Sequence, residues 1–168
     1  MSIKPFEEML HESWEWFNER FPQLDVPDPE EVGMEHRRLK ATAVRYFLES
    51  VKLKPNEIYV EVSFSRMKPD VYDAHNNIVY DAKTSRGRTP SEEIYDLTKY
   101  YGLYPKEIRA VMRPLPLILD IESVVNRLKA LPRMGVYVPM LDDGFRLVGL
   151  DELFRIMDEK YNGFLSYK

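Results

Sequence analysis

The sequence contains no cysteine and only three histidines, His11, His36 and His75, with Gln23 as its single glutamine. Without cysteine there is no disulfide framework and no thiolate-bound zinc or iron–sulfur cluster. The histidines are too scattered to indicate a histidine cluster, so a bound metal is expected to be a hard cation held by oxygen. The scarcity of glutamine and cysteine beside plentiful glutamate and lysine is also typical of thermophile compositions.

Long hydrophobic runs are missing as well. The longest apolar stretch is interrupted by Pro114, Pro116 and Asp120, and it falls short of the roughly 18 residues that a membrane-spanning helix needs. The first residues lack the basic and then apolar pattern of a signal peptide. We therefore expect a cytoplasmic protein without a membrane partner. With 168 residues and 44% hydrophobic content, the chain can form one domain with a proper core.

Charge is distributed unevenly along the chain. The formal net charge of -4 argues against a nucleic-acid partner at first sight. However, residues 1–32 hold 9 acidic and 2 basic side chains, whereas residues 33–90 hold 7 acidic and 11 basic ones. The central segment is therefore basic enough to meet phosphates, and the acidic N-terminal segment could mask it as a phosphate mimic in a partner-regulated protein.

Hydrophobic periodicity predicts alternating helices and strands. An amphipathic helix is expected from Lys4 to about Phe21, followed by an acidic, proline-rich linker to residue 32. A second helix is expected from about Met34 to Val51, and a strand from Glu57 to Ser65. The later elements are two strands around Asn76-Asn77, a helix opened by Thr89-Pro90-Ser91-Glu92 and ended near Gly102, a strand over Glu107–Met112, a helix over Asp120–Leu131, a strand over Gly135–Leu141, a turn over 142–144 and a helix over Leu150–Tyr161.

This order predicts a mixed α/β fold in which helices flank a central mixed sheet. The predicted divisions are an N-terminal helix and linker over 1–32 and a main domain over 33–168. The main domain consists of a core over 33–112, in the order αβββαβ, and a C-terminal elaboration over 113–168.

Charged residues occupy unusual positions in the two strands around Asn76-Asn77. If an even-numbered loop such as a two-residue turn joins these strands, Asp70 faces Lys83 and Tyr72 faces Asp81, with all four on one side of the sheet. The other side would then carry the core residues, which are Val71, Ile78, Tyr80 and Ala82.

Two carboxylates and an ammonium on one face can serve phosphodiester chemistry. Carboxylate oxygens of Asp70 and Asp81 can hold Mg²⁺ or Mn²⁺, and Lys83 can stabilise added negative charge. The alternative is a cross-strand ion pair between Asp70 and Lys83 on a solvated face, which contributes about 0.2 to 1 kcal/mol. Spacing by itself does not separate these two interpretations.

Glu35 is the odd residue of the second helix. It lies in line with the apolar stripe that includes Leu39 and Ala43, not with the other charged residues. An acidic residue in a first helical turn often only complements the helix dipole. The position of Glu35 therefore leaves two interpretations open, a dipole complement and a functional carboxylate.

The arrangement resembles the PD-(D/E)xK nuclease superfamily, the restriction-endonuclease-like proteins. The resemblance rests on Pro69-Asp70, a ten-residue gap and Asp81-Ala82-Lys83, in an αβββαβ context over about 33–112. It implies a restriction-endonuclease-like core and a Mg²⁺- or Mn²⁺-dependent deoxyribonuclease. By motif position, Asp70 resembles the metal-bridging aspartate, Asp81 the second carboxylate, Ala82 a backbone-carbonyl ligand and Lys83 the catalytic lysine. Glu35 stands where many members have a further metal-binding glutamate, and Asp96-Leu-Thr-Lys-Tyr100 stands where RecB-type members have Gln-x-x-x-Tyr.

Basic and hydroxyl side chains beside these positions are candidates for phosphate contacts, with an ordinary solvated charged surface as the alternative. They are Arg37, Arg38, Lys40, Thr84, Ser85, Arg86 and Arg88. The resulting expectation is a divalent-metal-dependent DNA endonuclease, acting on duplex or branched DNA as a homodimer. The alternative is a non-catalytic nucleic-acid-binding or partner-regulated module on the same fold.

Overall fold

The structure, a computed structural model, describes residues 3–22, 33–141 and 145–165. Helices and strands alternate through these residues, with the αβββαβ order running from the second helix to the fourth strand. The elements are α1 (Ile3–Arg20), α2 (Gly33–Arg45), β1 (Ile58–Val60), β2 (Val71–Asp73), β3 (Ile78–Lys83), α3 (Pro90–Asp96), β4 (Glu107–Met112), α4 (Pro114–Leu119), α5 (Ile121–Ala130), β5 (Met134–Leu141), β6 (Phe145–Gly149) and α6 (Leu150–Leu165).

In the described part of the chain, six strands form one open mixed sheet in the order β1-β2-β3-β4-β5-β6. The first three strands are antiparallel neighbours, β3, β4 and β5 are parallel, and β6 is antiparallel to β5. The crossover from β3 to β4 contains α3, and the crossover from β4 to β5 contains α4 and α5. The predicted mixed α/β class with a helix-flanked sheet is confirmed.

Each face of the sheet packs against its own set of helices. Helices α1 and α2 cover the face that carries Val71, Ile78, Tyr80 and Ala82, all four of which are buried as predicted. The opposite face is covered by α3, α4, α5 and α6 and buries side chains such as Ile108. The result is a three-layer arrangement in which the central strands are protected on both sides.

Helix α1 belongs to the hydrophobic core. Its side chains Phe6, Met9, Leu10 and Phe17 are buried together with residues of α2 and the sheet. The amphipathic pattern read from the sequence therefore marks a helix docked on the domain. The linker predicted over 23–32 and the turn predicted over 142–144 lie outside the described residues.

The start of α3 follows its local sequence closely. The Thr89 hydroxyl oxygen accepts a hydrogen bond from the Glu92 backbone N–H, and the Glu92 carboxylate accepts one from the Thr89 backbone N–H. Pro90 occupies the first turn. This capping box satisfies backbone donors that a helix start would otherwise leave free. The predicted end differs, because a 3-10 helix over Leu97–Leu103 continues past Gly102 and the left-handed residue that terminates it is Tyr104.

The first strand is much shorter than its alternating pattern predicts. β1 ends at Val60, Glu61 takes a left-handed backbone with φ of 53°, and Val62 is exposed. The Glu61 backbone N–H donates to the Asp70 carbonyl oxygen, and the Glu61 carboxylate forms an ion pair with Lys40. The left-handed backbone at Glu61 ends the strand, and the long-range ion pair with Lys40 that accompanies it leaves no periodic signal in the sequence.

The hairpin register is also shifted from the predicted one. Val71 faces Tyr80 and Asp73 faces Ile78, so the loop has four residues, Ala74 to Asn77. The buried Asp73 side chain fixes this loop by accepting the amide and side-chain N–H of Asn76. Because the shift is an even number of residues, it changes the facing pairs and leaves each side chain on its predicted face.

The predictions lack one short helix, one edge strand and a 3-10 turn over Pro55–Glu57, and one predicted helix is divided. The structure contains α4 and the edge strand β6, and the second helix changes from α-helix to a π-helical turn over Tyr46–Ser50. The short helix α4 was missed because two prolines within six residues resemble a helix breaker. None of the described helices is long and apolar enough to cross a membrane.

Candidate functional site

Asp70 and Asp81 meet where β2 begins and β3 approaches its end. Extending the observed register by one residue places them opposite each other, whereas Asp70 had been predicted opposite Lys83 and Asp81 opposite Tyr72. The Asp70 amide donates to Asp81 Oδ1 at 3.2 Å, and the Ala82 amide donates to Asp70 Oδ2 at 2.8 Å. The two carboxylates therefore share one small region at the edge where β2 separates from β3.

Lys83 and Tyr100 complete the surroundings of Asp81. Lys83 Nζ lies 3.0 Å from Asp81 Oδ2, so the lysine pairs with the carboxylate two residues before it. The Tyr100 hydroxyl oxygen lies 3.2 Å from both Asp81 Oδ1 and the Lys68 carbonyl oxygen. Both oxygens of the buried Asp81 side chain are thus held in place.

His36 holds Asp70 from the helix side. Its Nε2 lies 2.9 Å from Asp70 Oδ2, and its Nδ1 is buried without a hydrogen-bond partner. One turn further along α2, Lys40 is buried and its Nζ lies 2.8 Å from Glu61 Oε1. Residues four apart share one side of a helix, so His36 and Lys40 both face the start of β2 and the end of β1.

The two aspartates differ in their ionisation. Burial and the negative charge of Asp70 raise the pKa of Asp81 to about 6, against the opposing charge of Lys83. Burial also acts to raise the pKa of Asp70, but the His36 hydrogen bond and charge and the Ala82 amide lower it overall. Burial opposes the charged forms of His36 and Lys83, yet their aspartate partners raise both pKa values. Lys83 is therefore protonated at neutral pH.

The structure differs from the prediction at Glu35. Its carboxylate accepts from Arg113, which also contacts Glu7, and it lies 3.3 Å from Arg86 Nε. Consecutive helix residues point about 100° apart, so His36 faces Asp70 while Glu35 faces the end of β4 and the loop after β3. Within residues 3–22, 33–141 and 145–165, no three His, Asp or Glu side chains form a group that could hold a metal.

The side chains predicted to contact phosphates are mostly engaged with other groups. Lys40, predicted to contact phosphates, is buried and forms an ion pair with Glu61. Arg86 and Arg88 are exposed but pair with Glu35 and Asp96, respectively.

The remaining members of that set lie closer to the core. The Arg37 guanidinium lies over the Trp14 ring at 5.7 Å, and Arg38 is half-buried. The Ser85 hydroxyl donates to Glu93 Oε1 at 2.6 Å, and Thr84 is half-buried.

The donor set at Asp70 and Asp81 suits a hard divalent cation. The buried Asp81 carboxylate and the half-buried Asp70 carboxylate repel each other, and that repulsion contributes to the raised pKa of Asp81. Mg²⁺ is commonly bound through one or two carboxylates, with waters and substrate phosphates as its other ligands. Asp70 and Asp81 therefore supply the number of carboxylates that Mg²⁺ commonly takes from a protein, and the Ala82 backbone, whose amide donates to Asp70, lies beside them.

Comparison with protein-family models and with curated proteins gives no match to this sequence. The site is therefore defined by its own geometry. Sequence reasoning identified Asp70, Asp81 and Lys83 through the even parity of the hairpin. The sequence reasoning missed His36, although this residue precedes Lys40 by four positions and therefore lies on the same side of the helix. It also gave Tyr100 no role at Asp81.

Proposed function

We propose that this chain is a divalent-metal-dependent DNA endonuclease of the PD-(D/E)xK type, with a restriction-endonuclease-like core. The observation that carries the proposal is the meeting of Asp70, Asp81 and Lys83 at one end of the sheet. The αβββαβ order and the parallel pairing of β3 with β4 support it.

Asp70, Asp81 and the Ala82 carbonyl would hold Mg²⁺ or Mn²⁺. A bound divalent cation polarises the scissile phosphate and makes a hydroxide nucleophile available near neutral pH. Tyr100 keeps Asp81 oriented, and His36 does the same for Asp70. The protonated Lys83 stabilises negative charge that develops on the phosphate and does not act as a base. A homodimer would supply two such centres, one for each of two strands in a branched DNA.

DNA cleavage tests this proposal. The protein is incubated with supercoiled, linear, single-stranded and branched DNA in Mg²⁺ or Mn²⁺, beside the variants Asp81→Ala and Lys83→Ala. We expect both variants to lose about a hundredfold or more in rate, because each removes a group that acts on the reacting phosphate. The matched control Asp158→Asn changes an exposed aspartate of α6 to which no role at the site is assigned, and it should cut normally.

Persistent cleavage in both variants would contradict the assignment. A non-catalytic binding module is favoured instead if DNA is retained without metal and never cut. One observation favours this second candidate. Among the described residues no third carboxylate joins Asp70 and Asp81 to form a metal-binding group, and Glu35 pairs with arginines. In that case Asp70 and Asp81 serve the fold through the hydrogen bonds and ion pairs described above, such as those with His36 and Lys83.

A further inference from the structure

Three aromatic rings form a partly exposed cluster on the face of the sheet that carries Asp81. The Tyr59 and Tyr72 rings stack with centroids 6.2 Å apart, and the Phe64 ring meets them edge-on at 6.0 and 5.2 Å. The Tyr72 hydroxyl donates to Asn77 Oδ1 at 2.8 Å, which fixes the inner ring of the stack. Tyr59 lies on the edge strand β1 and is 41% exposed, so one side of the cluster is open to solvent.

This cluster lies on the same face of the sheet as Asp81. Tyr59 faces Tyr72, and Tyr72 faces Val79, which is two residues before Asp81. Tyr72 also follows Asp70 by two residues, a separation of roughly 7 Å along a strand. A nucleotide next to the scissile phosphate would span a distance of this size.

Three basic residues close in sequence to the cluster or to Tyr100 have no carboxylate partner among the described residues. Arg66, Lys68 and Lys99 are exposed and form no ion pair among the described residues. Tyr100 contacts both lysines. Its hydroxyl donates a hydrogen bond to the Lys68 carbonyl oxygen, and Lys99 Nζ lies 5.0 Å from the centroid of the Tyr100 ring. Positive charge without a carboxylate partner is thus carried by the segment between β1 and β2 and by the turn that holds Tyr100, whereas Arg86 and Arg88 are paired with carboxylates.

We propose that Tyr59, supported by Phe64 and Tyr72, stacks on an unpaired base of a single DNA strand while Arg66, Lys68 and Lys99 hold its phosphates. Duplex bases are already stacked on one another, so an open aromatic ring selects unpaired nucleotides. This proposal rests on the proposed function for the cleavage of the bound strand, whereas binding itself does not depend on that function. It assigns single-stranded DNA, or the unpaired part of a branched DNA, as the substrate class.

Binding without metal tests the inference separately from cleavage. Fluorescence anisotropy in EDTA measures a dye-labelled thymidine oligonucleotide of about 20 nucleotides and a blunt duplex of the same length. We expect Tyr59→Ala to weaken binding of the single strand about tenfold and to leave duplex binding unchanged, because the stacking surface is lost. Tyr59→Phe keeps the ring and should bind as the unchanged protein does.

Two further measurements guard against a general defect of the variant. Tyr104→Asn removes another exposed tyrosine at a left-handed position, which asparagine tolerates, and should bind both DNAs normally. With the unchanged protein, a strand of abasic residues should bind at least about tenfold more weakly than the thymidine strand, because it offers phosphates without bases.

Equal binding of the abasic and thymidine strands would overturn the inference. So would unchanged single-strand binding by Tyr59→Ala, which is the result expected if the aromatic cluster docks a protein. Cleavage that still depends on Asp81 in that case would leave the proposed function standing. Conversely, stacking without any cleavage would contradict the nuclease and retain the single-strand site.

Discussion

At the scale of single residues, Asp70 and Asp81 have their negative charges compensated in different ways. Asp70 accepts from His36 and the Ala82 amide, which lower its pKa, whereas Asp81 is deeper and has only Lys83 as an opposing charge. Two carboxylates with unequal ionisation in one site are typical of functional positions. The same asymmetry makes the stability of the metal-free protein depend on pH.

The pH dependence of unfolding reports the ionisation of Asp81. Its pKa is about 6 in the folded chain and near 3.8 when unfolded, so the folded state binds more protons between these values. The free energy of unfolding contributed by Asp81 therefore falls as pH rises from about 4 to about 6, by up to about 3 kcal/mol. The pKa of Asp70 lies below this window and that of His36 above it, so neither supplies the change.

Urea denaturation in EDTA at pH 4, 5, 6 and 7 measures this effect. The difference in unfolding free energy between the unchanged protein and Asp81→Asn should decrease across that range, since asparagine does not titrate. A difference that stays constant with pH would show that Asp81 ionises normally.

The buried pair of Lys40 and Glu61 predicts a large effect of a single substitution. Lys40→Ala leaves the Glu61 carboxylate, which is 19% exposed, without its partner and should destabilise the protein by about 3 kcal/mol. Arg88→Ala breaks an exposed pair that solvent screens, so it should destabilise the protein clearly less than Lys40→Ala does. Chemical denaturation of both variants checks this order, and equal losses would contradict it.

At the scale of elements, local sequence signals predicted those parts of the fold that local contacts determine. The capping box at Thr89 and the strand over Glu107–Met112 agree with the structure, because a cap and a buried apolar strand depend on neighbours in sequence. β1 ends at the left-handed Glu61, which pairs with Lys40, twenty-one residues away. Such contacts leave no periodic signal, and the alternation of Val62 with Phe64 therefore predicted too long a strand.

The candidate site follows the same division. The shared face of Asp70, Asp81 and Lys83 was predictable, because parity survives a register shift of two residues. The separation of His36 from Glu35 depends on how α2 lies against the sheet, and no pattern in the sequence reports that rotation. The placement of Tyr100 at Asp81 likewise depends on packing between distant elements.

Helix α1 offers a test of its role as part of the core. Leu10 is 1% exposed, so Leu10→Ala leaves a cavity and should lower the free energy of unfolding by about 2 to 5 kcal/mol. Glu12→Ala, on the exposed side of the same helix, should change it by less than about 0.5 kcal/mol. Equal stability of the two variants would mean that α1 does not dock on the sheet.

At the scale of the whole molecule, the site lies at one end of the sheet, where it draws groups from both faces. His36 reaches Asp70 from the layer of α1 and α2, and Tyr100 reaches Asp81 from the opposite layer. The acidic charge of residues 1–32 is partly carried by α1, which is packed on the core. Its proposed masking role is therefore better tested by exchanging exposed glutamates than by deleting the helix.

The most direct test of a metal centre at Asp70 and Asp81 is an anomalous diffraction map from a crystal soaked in Mn²⁺. We expect one strong manganese peak with carboxylate oxygens of both Asp70 and Asp81 at distances of about 2.0 to 2.6 Å. The same soak of Asp81→Asn should lose that peak. Manganese at other carboxylates with none at Asp70 and Asp81, in a well-occupied soak, would contradict the metal centre and the nuclease built on it.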